Sequence, residues 1–460
     1  MKLESLKTLF NPKSVAVVGA TENQKKMGCH AIISVMESFK GKIYPVNPSR
    51  DEVFGLRAYP DPESIPEPPD LAILAIPRDH IYGMVKKFIE RGTRAFVIIT
   101  AGFREAEISD GEVMHERLRN LVESAGAVVI GPNTFGMTDL KSGINASFTP
   151  ALYKVKKGDI ALVSQSGGIC HLLVPYAMRY GIGFSKIVGL GNRLNVDFPE
   201  MLEYLAEDEN TKSIALYIEG IENPKRMLEK IREVSRKKPV VAMKAGRFEK
   251  ANKASKSHTG SMAGDYKVYT SALKQYGAVI AETLEELVSY AKALSMQKPL
   301  YGDNIAVISL VAGLGMVASD TCELIGLKVA EFSEKTREKL YEILPPYTIR
   351  DNPVDLGFVA NDPELCGKAI ETVADDRMVD GIVVNYIYSW SGDFLEVPVR
   401  HIIAAGKKKP MTACINYPPG VWDDVKEKLE SSSVPVYPTP EIAVKGLKAL
   451  RDYGRILMRG

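Results

Sequence analysis

The sequence predicts an α/β protein built from doubly wound, mostly parallel sheets. Short apolar runs without polar alternation are typical of strands buried on both faces, and four of them occur early: Ser14–Gly19, Leu71–Ile76, Ala95–Thr100 and Ala127–Ile130. Amphipathic segments between these runs, Ile81–Arg91 and Gly111–Ala125, predict helices. The same alternation continues to the C-terminus, which indicates helices on both faces of each sheet.

Size and charge exclude several classes of protein. The chain has 460 residues, of which 45% are apolar and 25% charged. That length allows two to four domains at ~100–200 residues each. Lys and Arg number 59 against 57 Asp and Glu, giving a net charge of +2. Nucleic-acid and membrane-surface proteins carry a concentrated basic excess, so neither partner is expected. A signal peptide and an apolar run of ~18 residues, the length that spans a membrane, are both lacking.

Cysteine usage predicts a cytoplasmic protein without a metal centre. The five cysteines are scattered and form no CxxC pair, so we expect no zinc site and no disulfide framework. A sparse, odd number of thiols fits a reducing cytoplasm. The chain has only four Gln among abundant Lys and Glu, a composition typical of hyperthermophiles.

The second and third parts of the chain look like two copies of one unit. Each copy has, in order, a strand followed by glycines, a short segment that begins with Asn and ends with Asp, and a basic run that ends in Pro before another strand. The matching segments are 160–164 and 305–309, 195–197 and 352–355, and 236–239 and 407–410. Only the first copy has an additional polar loop, 253–265. An insertion confined to one copy is a candidate position for a specialised function.

The end of the first strand predicts an anion-binding turn. Gly19, Ala20 and Thr21 follow that strand directly, and Lys26 comes soon after. Backbone N–H groups in such a strand–turn–helix join can hold a phosphate, although GxGxxG is absent and a plain tight turn is the alternative. In open α/β sheets the ligand lies across the carboxyl ends of the strands. The other residues expected there are Val46, Asn47, Pro48, Ile76, Pro77, Thr100, Ala101, Gly102 and Asn133.

Two further helix starts stand at equivalent places in the two copies. Small residues dominate both, as they do where backbone N–H groups bind an anion. The two starts comprise Ser164, Gln165, Ser166, Gly167 and Gly168 in copy one, and Gly313, Leu314, Gly315 and Met316 in copy two. Either could be a plain turn. If the two starts face each other, they could hold a doubly charged phosphoryl group between them.

His258 is the candidate nucleophile. It lies among Ser, Thr, Gly and Lys in the additional loop, a segment too polar for a core. Neutral imidazole is a competent nucleophile toward phosphorus. It needs a carboxylate to fix its tautomer, and Glu219, at the end of a predicted strand, is a candidate, with Glu222 as the alternative. A solvated loop histidine without a role is also compatible with the pattern, and the other five His residues are assigned none.

Together these motifs resemble the α subunit of the archaeal NDP-forming acyl-CoA synthetases, the ADP-forming acetyl-CoA synthetase type within the succinyl-CoA synthetase superfamily. The resemblance spans nearly the whole chain. Gly19–Thr21, Asn47–Pro48 and the strand-end turns match the CoA-binding domain. Ser164–Gly168 and Gly313–Met316 match the two phosphate-gripping helix starts. Ser257–Gly260 matches the phosphohistidine loop, and Glu219 matches the glutamate that supports it.

The resemblance implies a domain plan. A Rossmann-like CoA-binding domain is expected at 1–145. Two flavodoxin-like, succinyl-CoA synthetase-type ligase domains are expected at 146–297, with the phosphohistidine loop, and at 298–460. No segment is left to form the ATP-grasp domain that binds nucleotide in this superfamily. A β subunit that carries this domain is therefore expected, in an α2β2 heterotetramer.

The implied reaction is acyl-CoA + ADP + phosphate ⇌ acid + CoA + ATP, through an acyl phosphate and phosphohistidine at His258. ADP or ATP and Mg²⁺ would lie mainly on the partner. Alternatives are a succinyl-CoA synthetase-like ligase and a non-catalytic CoA or nucleotide sensor. The preferred acid and the choice between ADP and GDP stay open.

Overall fold

The computed structural model describes residues 2–106, 110–248, 265–388 and 396–459. Two compact units divide the chain, Met1–Leu284 and Glu285–Gly460. His258 and most of the predicted loop 253–265 lie outside the described residues.

The first sheet has five parallel strands in the order β2-β1-β5-β6-β7, and a two-stranded ribbon, β3–β4, stands beside it. The strands are β1 Ser14–Val18, β2 Lys42–Val46, β3 Glu52–Val53, β4 Leu56–Arg57, β5 Leu71–Leu74, β6 Ala95–Ile98 and β7 Val128–Ile130. The helices of this region are α1 Lys2–Phe10, α2 Met27–Ser38, α3 Ile81–Arg91 and α4 Gly111–Ser124. All four predicted apolar runs contain strands of this sheet, and β1, β5, β6 and β7 are buried throughout.

The second sheet has seven strands in the order β14-β13-β12-β10-β11-β8-β9. They are β8 Gly136–Asp139, β9 Ile144–Ser147, β10 Lys157–Ser164, β11 Phe184–Gly189, β12 Ser213–Ile218, β13 Val240–Lys244 and β14 Ala278–Ile280. Its helices are α5 Gly167–Tyr180, α6 Phe198–Glu207, α7 Pro224–Ser235 and α8 Tyr266–Gln275. The hairpin β8–β9 is antiparallel and extends the edge of an otherwise parallel sheet. The sequence pattern did not predict this hairpin.

The third sheet lies in the second unit and has six strands. Its main order is β16-β15-β18-β19-β20, with β17 paired to β15. They are β15 Asn304–Ser309, β16 Lys328–Val329, β17 Val354–Asp355, β18 Gly381–Ile387, β19 Met411–Asn416 and β20 Val436–Tyr437. The helices are α9 Leu284–Met296, α10 Ala312–Leu324, α11 Glu334–Ile343, α12 Pro363–Ala374, α13 Val399–Lys408, α14 Asp423–Ser431 and α15 Pro440–Met458. One-turn 3₁₀ helices complete the two units at Pro62–Ser64, Arg78–His80, Pro150–Lys154 and Gly357–Val359.

The two copies share one topology. If the short strand β17 is left out and each copy is counted from β10 or β15, both copies have the order 2-1-3-4-5, as β11-β10-β12-β13-β14 and as β16-β15-β18-β19-β20. This is the flavodoxin-like doubly wound order, in which the crevice for a ligand opens beside the first strand. The predicted fold class is confirmed.

Helix α9 packs against the strands and helices of the third sheet, although the domain prediction places it in the second domain. Lys292, which is nearly inaccessible, lies 2.6 Å from Glu430 Oε1 and donates to the Val436 carbonyl at 2.7 Å. Tyr437 donates its hydroxyl hydrogen to the Ser289 carbonyl at 2.9 Å. The domain limits at 145 and 297 stay predictions.

Candidate active site

A cavity of about 1370 Å³ lies in the first unit, at the carboxyl ends of β1, β5, β6 and β10. Eleven of the thirteen residues predicted for CoA binding line it: Gly19, Thr21, Lys26, Val46, Asn47, Pro48, Ile76, Pro77, Thr100, Ala101 and Asn133. Ala20 and Gly102 do not line it. Ala20 stands behind the wall, where its carbonyl accepts a hydrogen bond from Asn47 Nδ2 at 2.8 Å. The carbonyl of Gly102 accepts from Arg78 Nη1 at 3.0 Å.

The turn after β1 can be made only with glycine at position 19. Gly19 has a φ of +87°, and its N–H donates to the Val46 carbonyl at 2.9 Å. A Cβ at this position would lie 2.5 Å from the Ala75 carbonyl oxygen. Behind the turn, Gly28 of α2 approaches so closely that a Cβ there would lie 2.0 Å from the Gly19 oxygen. The start of α2, which no described side chain caps, therefore lies directly against the cavity wall. This arrangement is suited to an anion.

The start of α5 forms a second anion-compatible surface in the same cavity. Gln165, Ser166, Gly167 and Gly168 line the wall, whereas Ser164 is buried beneath them. The Ser164 hydroxyl accepts from the Ser166 N–H at 3.1 Å and donates to the Ser166 carbonyl at 2.8 Å. Among the residues that the structure describes, no side chain caps α5, so its first N–H groups are available to a ligand.

Gln165 adds a side-chain donor to this surface. It is 6% exposed, and its Oε1 accepts hydrogen bonds from the backbone N–H groups of Glu219 and of Gly220, the latter at 2.9 Å. Because both backbone groups are donors, the atom of the Gln165 amide that they contact must be the oxygen. Among the described residues, the buried Nε2 has no hydrogen-bond partner. A buried amide nitrogen without a protein acceptor at the wall of a cavity is suited to an oxygen of a bound anion.

The two candidate carboxylates differ in surroundings. Glu219 follows β12, is half-buried and lines the cavity. Glu222 is ion-paired, with Oε1 at 2.5 Å from Arg104 Nη2 and 3.3 Å from Arg193 Nη2. The Arg193 side chain is almost fully buried, and Glu222 helps to neutralise it together with Asp197, whose Oδ2 lies 3.3 Å from Arg193 Nη1. This geometry favours Glu219 as the carboxylate that serves the cavity.

Lys244, at the end of β13, contributes to the field around Glu219. Burial lowers the pKa of Lys244, while the Glu219 carboxylate acts in the opposite direction. The Lys244 Nζ also donates to the Ala245 carbonyl at 2.5 Å and lies 5.3 Å from the ring centre of Tyr269. The Lys244 ammonium and the Glu219 carboxylate therefore interact electrostatically at the ends of the paired strands β13 and β12.

Several lining residues were not predicted from the sequence. Asn192 and Arg193 follow β11, and Phe135, Phe148 and His171 form another part of the wall. Asn192 and Arg193 could have been found from the sequence, because a Gly-Asn pair follows a strand of the same sheet at that point. His171 was assigned no role because its position inside a helix does not reveal what the helix faces. Burial lowers the pKa of His171, which favours the neutral imidazole at neutral pH.

The equivalent start in copy two repeats the arrangement seen at α5. The Ser309 hydroxyl donates to the Val311 carbonyl at 2.7 Å, as Ser164 does to Ser166. No described side chain caps α10, Gly313 has open space where a Cβ would stand, and Met316 is 57% exposed. Leu314 and Gly315 lie in the first turn of α10. This start belongs to the second unit, so the predicted pairing of the two starts stays a prediction.

Among the residues that the structure describes, no group of three or more His, Cys, Asp or Glu side chains is placed to hold a metal ion. No described helix combines the length and the apolarity needed to cross a membrane.

Comparisons with known proteins agree with this geometry. Residues 13–139 match the family described as "CoA binding domain", and residues 157–294 match "Succinyl-CoA ligase like flavodoxin domain". The chain is 35% identical to the α subunit of acetate–CoA ligase (ADP-forming) II from Pyrococcus furiosus, over 96% of each chain. It is 34% identical to acetate–CoA ligase (ADP-forming) I from Archaeoglobus fulgidus, over 98% of this chain but 64% of that longer protein.

A solved structure gives the same result. The chain is similar to the dinucleotide-forming acetyl-coenzyme A synthetase 1 of Ca. Korarchaeum cryptofilum in complex with phosphate and ADP. The TM-score is 0.88 at 32% identity, covering 99% of this chain and 98% of the other. The chain therefore belongs to the α-subunit family of the ADP-forming acetate–CoA ligases, the NDP-forming acyl-CoA synthetases.

Proposed function

We propose that this chain, together with a β subunit, converts acyl-CoA, ADP and phosphate into acid, CoA and ATP. One observation carries the proposal: a single cavity is lined by the predicted CoA-binding strand ends, by the start of α5 and by Glu219. The thioester, the phosphate and the carboxylate that serves the phosphoryl carrier would then meet in one enclosed space.

The first step is attack of a phosphate oxygen on the thioester carbonyl carbon. A C–O bond forms, the C–S bond breaks, and CoA leaves as its thiolate, giving an acyl phosphate. The N–H groups at the start of α5 and the Gln165 amide would hold the phosphate oxygens. The start of α10, with Gly313, Leu314, Gly315 and Met316, would supply the second set of donors.

The second step transfers the phosphoryl group to His258. An N–P bond forms, the bond between phosphorus and the acyl oxygen breaks, and the acid leaves as its carboxylate. Glu219 would orient the imidazole and stabilise its positive charge. His258 lies outside the described residues, so its assignment rests on the Ser257–Gly260 motif and on its place in the loop found only in copy one.

The third step passes the phosphoryl group to ADP on the partner. Several relatives are named as α subunits, which supports a β subunit as the partner, and we propose an ATP-grasp domain there and an α2β2 assembly. Mg²⁺ would be bound by the nucleotide phosphates and by the partner. A cytoplasmic location remains a proposal from cysteine usage.

The experiment is to purify the chain with the partner that co-purifies from its source and to measure ATP formation from acyl-CoA, ADP and phosphate. We expect ATP formation that requires all three substrates and both subunits. CoA binding without any ATP formation, across a panel of acyl-CoA thioesters, would instead indicate a sensor and refute the proposal.

A further inference from the structure

Three aromatic rings form one wall of the cavity beside the start of α5. Phe135 precedes β8, Phe148 follows β9, and His171 lies one turn into α5. The His171 ring centre is 4.8 Å from that of Phe135, edge-on, and 5.3 Å from that of Phe148. The two phenylalanine rings are 6.0 Å apart. All three residues line the cavity, so they present it with a continuous aromatic surface.

The wall is held firmly next to the proposed phosphate site. A Cβ on Gly167 would lie 3.2 Å from the Phe135 Cβ, and one on Gly189 would lie 2.8 Å from it. Phe135, which is 1% exposed, is therefore clamped between the start of α5 and the end of β11. A side chain at position 189 would collide with Phe135 and one at position 167 would be tight against it, so the two glycines let the ring lie close to the helix start.

The chemistry of the first step requires the acyl group to be close to this wall. The thioester carbonyl carbon must come within about 3–3.5 Å of the attacking phosphate oxygen. With phosphate at the start of α5, the chain beyond that carbonyl lies beside Gly167 and therefore near Phe135. Burial lowers the pKa of His171, so this surface is uncharged at neutral pH and suits an apolar chain.

The hairpin that carries two of the rings is specific to the first copy. In the part of the chain that the structure describes, the third sheet has no counterpart of β8–β9. Both the hairpin and the additional loop 253–265 thus distinguish copy one from copy two. The sheet that carries the proposed phosphate site therefore also carries the aromatic wall.

We propose that Phe135, Phe148 and His171 form the subsite for the acyl group and select apolar acyl groups larger than acetyl. This inference rests on the proposed function. Each additional methylene buried against the rings is expected to improve kcat/KM about four-fold, equivalent to about 0.8 kcal/mol. An acyl group with its own ring gains edge-to-face contact in addition.

The test measures kcat/KM of the complex with its β partner for acetate, isobutyrate and phenylacetate. The wild type should prefer isobutyrate or phenylacetate to acetate by about ten-fold or more. Phe148→Ala should lower kcat/KM for the larger acids about ten-fold and that for acetate less than three-fold. Tyr153→Ala is the matched control, since Tyr153 is 44% exposed and follows the same hairpin outside the cavity.

Each failure has its own signature. A wild-type preference for acetate would overturn the inference while leaving the ligase proposal intact. An equal loss for all three acids in Phe148→Ala would do the same, because the wall would then be merely structural. If Phe148→Ala does not fold, Phe148→Leu is measured in its place. The preference of the wild type between acetate and the larger acids tests the inference in either case. Absence of turnover with every acid would refute the proposed function itself, and the inference with it.

Discussion

The side-chain oxygen of Gln165 accepts a hydrogen bond from the backbone N–H of Glu219, which ties the end of β10 to the end of β12. A second bond, from Gly220 N–H at 2.9 Å, fixes the amide in one orientation. One side chain thus links the proposed phosphate site to the proposed carboxylate, and its Nε2 is left at the cavity wall. The two functions of this amide can be separated by substitution.

Gln165→Glu should weaken phosphate binding while leaving the fold intact. A carboxylate can still accept from both backbone N–H groups, but its other oxygen repels an anion where the amide donated. Hydrogen bonds to charged groups are worth about 1.5–3 kcal/mol, so the Kd for inorganic phosphate should rise about ten-fold or more. Calorimetric titration of phosphate into the full chain measures this. Gln275→Glu, at an exposed position in α8, is the control, and wild-type affinity in Gln165→Glu would exclude the donor role.

Glu219→Gln should lower the activity of the enzyme, whereas Glu222→Gln should lower its stability. Glu219→Gln should keep its thermal stability but slow ATP formation at least about a hundred-fold, since an amide cannot offset the imidazolium charge. Glu222→Gln should unfold at a lower temperature, because the nearly inaccessible Arg193 loses one of its carboxylate partners, although it keeps Asp197. We expect a loss of about 1–2 kcal/mol after allowing for the partial exposure of Glu222. Thermal melts and turnover of both variants decide, and the reverse pattern would make Glu222 the functional carboxylate.

CoA binding can be tested with two neighbouring lysines. Lys26 lines the cavity at the start of α2, whereas Lys25 is exposed outside it. Lys26→Ala should raise the Kd for CoA about three- to five-fold at low salt and less at high salt, because one exposed cation beside a phosphate is lost. Lys25→Ala should stay near wild type. Titration calorimetry at two salt concentrations separates the outcomes, and equal effects would argue against this wall as the CoA site.

Substitution of Gly19 is not a clean test of CoA binding. Its positive φ and the 2.5 Å approach to the Ala75 carbonyl mean that any side chain there strains the turn itself. Lost affinity in such a variant would therefore not distinguish a blocked ligand from a distorted β1–α2 connection.

His115 should make the protein less stable in acid. It is fully buried, and burial, with Arg104 and Arg119, lowers its pKa to about 3. The unfolded chain binds the proton near pH 6.5, so the stability from a neutral His115 is complete above that pH and is lost as pH falls toward 3. Between pH 6.5 and 5 this amounts to about 2 kcal/mol. His115→Leu should flatten the dependence in denaturant titrations at pH 7 and pH 5, and parallel curves would contradict the account.

The sequence was sufficient for the parallel sheets but not for the hairpin. Buried runs such as Val15–Val18 are apolar throughout, and their period and length identify them directly. The hairpin strand β8 instead ends in Asp139, a polar residue that reads as a turn. In the structure Asp139 is buried and lies 3.0 Å from the Lys186 Nζ, which is itself 2.6 Å from Asp208. The ion pairs with Lys186 stabilise the buried Asp139 carboxylate at the end of β8. These contacts join residues far apart in sequence, so the sequence pattern does not show them.

The candidate site was also partly accessible from the sequence. Residues at the ends of β1, β5, β6 and β10 could be predicted because parallel strands end at one edge of a sheet. Phe148 and His171 could not, since one follows an unrecognised strand and the other lies inside a helix. The sequence could not decide between Glu219 and Glu222 as the functional carboxylate. The structure distinguishes them because Glu222 forms ion pairs with Arg104 and Arg193.

The most direct test of the central claim, that His258 carries the phosphoryl group, is labelling with γ-phosphate-labelled ATP, Mg²⁺ and the β partner. Wild type should acquire an acid-labile, base-stable phosphate, as phosphohistidine does. His171→Ala, which alters one of the two described histidines that line the cavity, should acquire it too. His258→Ala should acquire none and make no ATP from acyl-CoA, while its affinity for CoA stays near that of wild type. Label or ATP formation in His258→Ala would contradict the account and require another nucleophile.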